Sequence, residues 1–304
     1  MYTVVAMITS HAPTIFTAFG ASGDLMRLKV MPALFHLFRK NRLPEQFCIV
    51  GFSRREWSDD DFREQIRTVV ESHAGADASR VDDFLKLFVF QRGDFDEAGS
   101  YDALKTRFEE IDRAWGTASN KLFYLAVAPE FYTTIAGRIA EKGLTARQSA
   151  EGWTRIVVEK PFGSDEHSAR AIDEYLANHF AEDQIYRIDH YLAKEMLQNI
   201  LTFRFSNTLF EIPWGKDFIE RVDIRLLESI GAEKRGSFYD ATGTLRDVGQ
   251  NHLLQMLALV AMEHPISFEA DAIRAKRSEI LNYLETPTDE DVAKYSTRAQ
   301  YDGF

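Results

Sequence analysis

Short apolar runs alternate with amphipathic stretches along the first part of the chain. Thr14–Gly20 is apolar and predicts a strand; after it Leu25, Leu28, Met31, Leu34, Phe35 and Phe38 recur at helical spacing up to Asn41. Phe47–Phe52 predicts a second strand, Asp59–His73 a polar amphipathic helix, Leu87–Gln91 a third strand and Tyr101–Trp115 a helix. Lys121–Ala126 then reads as strand, Glu130–Lys142 as helix, Arg155–Val158 as strand and Ser164–Phe180 as helix, with Ser164 at the N-cap. Ala74–Ser79 is a loop inside this series. Such alternation predicts an α/β domain built on a doubly wound parallel sheet.

After Glu195 the pattern changes. Phe218–Leu227 alternates Ile219, Val222, Ile224 and Leu226 with charged residues, which predicts a strand covered on one face only. Thr244–Met262 predicts a helix, with Leu245, Val248, His252, Gln255, Leu259 and Met262 at steps of three and four. His252 thus falls on or near the inward face. The change divides the chain into residues 1–189 and 190–304.

Composition alters this picture little. Of the 304 residues, 45% are hydrophobic and 27% charged, ordinary for a globular protein with a sizeable core. A formal charge of -11 argues against a general nucleic-acid binder, although a local basic cluster can still hold an anion. The single cysteine, Cys48, lies in an apolar run and is expected in the core. No apolar run is long enough for a membrane span. Tyr2–Ile8 is apolar, but no basic residue precedes it and no cleavage site follows, so a secretory signal is not expected. A reducing, cytoplasmic location fits.

Candidate chemistry gathers at a few places. Gly20-Ala21-Ser22-Gly23-Asp24-Leu25 joins the first strand to the first helix, an arrangement that aims backbone N–H groups at a pyrophosphate. Ser22 and Leu25 stand where the usual fingerprint has its second and third glycines, so an ordinary tight turn is the competing reading. Arg54 follows the second strand, where an NAD site would usually have an acid; an arginine there suits the 2′-phosphate of NADP. Arg54 and Arg55 also read as two solvated cations opening a charged loop. Glu159-Lys160-Pro161-Phe162-Gly163 follows the strand Arg155–Val158, placing Lys160 beyond a strand end; a proline turn with one exposed lysine is the alternative. Most polar of all is Arg187–Glu195, Arg-Ile-Asp-His-Tyr-Leu-Ala-Lys-Glu. On a helical turn His190 and Lys194 would face the same way beside Tyr191, a donor-rich patch suited to a dianion such as a sugar phosphate. Asp189 is left as an acceptor for a histidine from elsewhere.

This nonapeptide resembles the signature of the glucose-6-phosphate dehydrogenase family, whose usual form has Gly where this chain has Ala193. Gly20–Leu25, Glu159–Gly163 and Asn251-His-Leu-Leu-Gln255 match further family segments in the same order, and the resemblance runs from about Thr14 to the end. It implies a Rossmann-like NADP-binding domain over 1–189 and an α+β substrate and dimerisation domain over 190–304, its antiparallel sheet incomplete because the family continues past this chain. Arg298-Ala-Gln-Tyr301 resembles a strand of that sheet. The missing part would carry further substrate lysines and arginines and most of the interface of a homodimer or tetramer.

The activity implied is oxidation of D-glucose 6-phosphate to 6-phosphoglucono-1,5-lactone, the first step of the oxidative pentose phosphate pathway, with NADP as acceptor and NAD a weaker one. Histidine is the natural base for the anomeric hydroxyl at neutral pH. The resemblance makes His252 that base, with Asp189 fixing its tautomer; without it, His252 would read as a hydrogen-bonded core residue. By the same resemblance, the cofactor contacts are the Gly20–Leu25 turn, Arg54, Tyr132 and Lys160, and Pro161 is a hinge with a cis bond. Lys160, His190, Tyr191 and Lys194 would bind the substrate, and Glu228 and Asp247 its hydroxyls, although those two acids also read as surface residues. No Cys/His cluster has metal-ligand spacing, and no metal is required. The alternative is a catalytically impaired NADP-binding fragment or paralogue that keeps the motifs by descent.

Overall fold

The computed structural model describes residues 12–74, 79–147, 152–163, 165–227, 236–297 and 299. Tyr2–Ile8, most of the Ala74–Ser79 loop, Ser164, Glu228 and, but for Ala299, Arg298–Tyr301 lie outside them. The chain separates into two compact units, dividing between Ile188 and Asp189.

The first unit is a six-stranded sheet in the order β3-β2-β1-β4-β5-β6, parallel throughout. Its strands are β1 (Thr14–Phe19), β2 (Phe47–Ser53), β3 (Phe88–Arg92), β4 (Asn120–Leu125), β5 (Thr154–Glu159) and β6 (Ile185–Ile188). The helices between them are α1 (Met31–Arg39), α2 (Asp59–Ala74), α3 (Val81–Leu85), α4 (Ala98–Trp115), α5 (Tyr132–Glu141) and α6 (Glu166–Ala177).

Alternation along each strand divides the core in two. Phe16, Ile49 and Val157 join Phe35, Phe62 and Phe84 on one face, while Ile15, Val50 and Ile156 join Tyr101, Phe108 and Ile135 on the other. Cys48 is buried as expected, and burial pushes its thiol up to about 12, with Asp59 adding to the effect. It is therefore inert at neutral pH.

Two elements of this unit have no counterpart in the sequence pattern. β6 is four residues long and runs straight into the polar Arg187–Glu195 segment, so no periodicity marks it. α3 is barely more than one turn. The N-cap of α6 is Asp165, which accepts from the Ser168 N–H at 2.8 Å in a capping box.

The second unit is helical among its described residues: α7 (Glu195–Phe205), α8 (Thr208–Glu211), α9 (Gly236–Thr244), α10 (Leu254–Ala261), α11 (Ala270–Asn282) and α12 (Asp289–Tyr295). A small core of Leu197, Phe205, Leu259 and Met262 joins α7 to α10. The strand expected over Phe218–Leu227 is not formed, and the stretch has no regular structure after its opening turn. A strand needs a neighbour to take its N–H and C=O groups, and no described segment of this unit supplies one. The predicted antiparallel sheet is thus absent from the described residues. The helix expected from Thr244 to Met262 instead has a π segment, Leu245–Leu253, between α9 and α10.

Candidate active site

In the first unit the candidate residues stand at the carboxyl ends of the strands. Gly20 follows β1 where the strand order reverses between β1 and β4, the usual ligand position in such sheets. Its φ is +78°, and a Cβ there would lie 2.5 Å from the Ala126 carbonyl oxygen, so only glycine fits. The Gly20 N–H donates to Phe52 at 3.0 Å, and the Gly23 N–H donates to Gly20 at 2.9 Å. The chain turns helical from Asp24 through a π segment, Met26–Val30, into α1. Ala21 is buried under the turn, while Ser22, Asp24 and Leu25 are exposed. This tight cradle with a following helix fits a pyrophosphate.

Arg54 is exposed at the end of β2, the strand beside β1, and makes no ion pair with a described residue. Lys160 is half-buried just past β5, and the Lys160–Pro161 peptide is cis. Tyr132 lies in the core. It is fully buried at the start of α5, and its hydroxyl donates to the Glu159 carbonyl at 2.7 Å. With its ring in the core and its hydroxyl on Glu159, Tyr132 stands directly behind the residue that precedes Lys160.

In the second unit Asp189 and His252 meet. His252 Nδ1 lies 2.7 Å from Asp189 Oδ1, with the two side chains 3% and 13% exposed. The same oxygen accepts the Tyr191 N–H at 2.9 Å. The Tyr191 ring stacks on His252 with centroids 3.9 Å apart, His190 packs edge-on to His252 at 4.8 Å, and Lys194 Nζ lies 3.5 Å from the Tyr191 centroid. His190, Tyr191 and Lys194 therefore cluster with the dyad, but not as one helical turn. Consecutive turns run from His190 to Ala193, and Lys194, with ψ at 128°, is the extended N-cap of α7. The Tyr191 ring, rather than helical spacing, links His190 to Lys194. Asp247 is half-buried in the π segment that carries His252.

Arg277 of α11 was not signalled by the sequence, where it sits in an ordinary polar amphipathic stretch. Its guanidinium donates to Gln255, one turn beyond His252, and its buried Nε has no partner among the described residues. Burial holds its pKa below the usual arginine value, and the Asp189 charge works against that shift. Asp189 thus feels a nearby cation as well as the imidazole.

The first unit is a Rossmann-like α/β domain of the dinucleotide-binding kind, by strand order and by the glycine turn at the switch point. Two family models cover nearly the whole chain: glucose-6-phosphate dehydrogenase, NAD binding domain, over residues 17–199, and glucose-6-phosphate dehydrogenase, C-terminal domain, over 201–304. The chain belongs to the glucose-6-phosphate dehydrogenase family. It is 40% identical over 296 residues to glucose-6-phosphate 1-dehydrogenase of Bacillus subtilis, covering 97% of this chain and 59% of that one. Against the Streptococcus pneumoniae protein of the same name it is 42% identical over 289 residues, covering 94% and 57%. A solved glucose-6-phosphate dehydrogenase in complex with its substrate glucose-6-phosphate superposes with a TM-score of 0.82 at 38% identity, over 89% of this chain and 56% of that one. The chain therefore spans somewhat over half the length of the relatives it matches.

Proposed function

We propose that this chain carries the dinucleotide site and the base of an NADP-dependent glucose-6-phosphate dehydrogenase, oxidising the anomeric hydroxyl of the sugar phosphate to the lactone. The observation that carries the proposal is the buried 2.7 Å contact of Asp189 with His252. With Nδ1 held by Asp189, the imidazole presents Nε2 as the base for the hydroxyl proton. Asp189 fixes that tautomer and stabilises the imidazolium formed when the proton arrives. Substrate phosphate is assigned to His190 and Lys194, with Tyr191 beside them, and sugar hydroxyls to Asp247 and Glu228.

The Gly20–Leu25 turn holds the dinucleotide pyrophosphate through backbone N–H groups, Arg54 pairs with the ribose 2′-phosphate, and Lys160 stands at the nicotinamide end. When bound, the nicotinamide accepts the hydride from carbon. The preference for NADP over NAD rests on Arg54 occupying the place of an acid.

A second reading, a binding fragment with impaired turnover, is favoured by one observation. The described residues of the second unit leave Leu209, Ile212 and Phe218 more than two-thirds exposed, so its apolar surface is poorly covered. An assay for NADPH formation from glucose 6-phosphate, run beside NADP binding, separates the two. Turnover that His252→Asn lowers about 10²- to 10⁴-fold supports the enzyme; NADP binding without turnover supports the fragment; neither would sink both readings.

A further inference from the structure

The strand end before Lys160 is gripped from both faces of the sheet. Tyr124 of β4 donates its hydroxyl to Glu159 Oε1 at 2.6 Å, and Tyr132 of α5 donates to the Glu159 carbonyl at 2.7 Å. The Tyr124 ring belongs to the core under α1 and α2, where it stacks on Phe16 with centroids 5.7 Å apart. Tyr132 belongs to the opposite core, with Ile135 and Ile156. Two hydroxyls from opposite sides thus meet at one residue, one on its side chain and one on its backbone.

Ladder geometry shows why a grip is needed there. Pairing of β4 with β5 stops at Leu125 and Val158, one residue short of Glu159, which keeps a ladder partner only on the other side, Ile188 of β6. Past that point the β4 ladder no longer fixes the chain, and the Glu159 carbonyl takes a side-chain donor. Burial pushes both phenols well above the ordinary tyrosine range, with the Glu159 carboxylate adding to the shift of each. Both therefore stay protonated donors throughout the working pH range.

We propose that Tyr124 and Tyr132 are positioning residues for Lys160: by holding Glu159 through its carboxylate and its carbonyl, they fix the strand end that presents Lys160 to the dinucleotide. Acting through Glu159, neither needs to touch the ligand. The inference rests on the dinucleotide reading given above. Its physical content is pre-organisation, because a lysine on a strand end laddered from one side only must be further ordered when the ligand binds, and that cost subtracts from affinity.

A double-mutant cycle on the full chain tests it, with NADP as the probe, calorimetric Kd as the readout and Tm measured in parallel. Tyr124→Phe and Tyr132→Phe should each raise Kd about 2- to 10-fold, the value of one net hydrogen bond. In a Lys160→Ala background the same changes should add nothing, because they act only through Lys160. Glu159→Gln keeps an oxygen that can accept from Tyr124 and should bind nearly as wild type, whereas Glu159→Ala should match Tyr124→Phe. This carboxylate pair reports even if a tyrosine variant does not fold. Equal losses with and without Lys160, or variants that lower Tm while binding as wild type, would overturn the inference. A wild-type chain that does not bind NADP overturns the dinucleotide reading and this inference with it. A wild-type chain that binds while every variant matches it overturns the inference alone.

Discussion

Asp189 Oδ1 accepts two hydrogen bonds, from the Tyr191 N–H and from His252 Nδ1, so the backbone of the motif orients the carboxylate and the carboxylate orients the imidazole. General-base catalysis contributes about 10²–10⁴ in rate, so His252→Asn should lower kcat by that factor with little change in KM. His190→Asn should mainly raise KM, because a phosphate contact binds ground and transition states alike. Steady-state kinetics of the two variants would show the roles reversed if the phenotypes exchanged. Arg54→Ala should weaken NADP binding roughly 10- to 150-fold, the worth of a charge-assisted contact, and NAD binding much less. Equal losses for both nucleotides in titrations would remove Arg54 from the site. At this scale the sequence was legible where a motif carried both chemistry and place: Asp189, His190, Tyr191, Lys194 and His252 do come together. The full burial of Tyr132 was not, because burial depends on how α5 packs against β5, which no local pattern records. Arg277 escaped for a related reason, since its proximity to Asp189 arises from the packing of α11 on α10.

Elements in the first unit followed their hydrophobic periods closely, because both faces of a parallel sheet are covered and apolar runs are therefore strict. β1 and β2 fall within one residue of expectation, and only the shortest elements, α3 and β6, went unread. Phe218–Leu227 shows the opposite case. Its alternation is a strand pattern, but alternation describes only which face would be buried, and pairing needs a second segment. The π segment Leu245–Leu253 was also invisible, because one extra residue per turn leaves the apolar spacing nearly helical. Local capping can be tested at this scale. Asp165 accepts from the Ser168 N–H and hydroxyl, so Asp165→Ala should lower stability by about 1 kcal/mol in urea unfolding. An unchanged midpoint would mean that α6 is held by packing alone.

For the whole molecule, the contrast between the units governs behaviour in solution. The first has two apolar cores, one on each face of a six-stranded sheet. The second has four buried hydrophobic residues in its described core, while Leu227 is 90% and Ile266 96% exposed. Apolar patches left uncovered drive association without specificity, and segments with few buried contacts open locally at low cost. The chain should therefore self-associate as its concentration rises. Amides after Phe218 should also exchange with deuterium faster than those of the parallel sheet. Dinucleotide binding, which depends on the first unit, should survive better than turnover of glucose 6-phosphate, which depends on the second. Sedimentation, hydrogen exchange and a paired binding and turnover assay check these outcomes together. A monodisperse chain with uniform protection and turnover near 10 s⁻¹, roughly the median for enzymes, would show that the second unit is as well packed as the first.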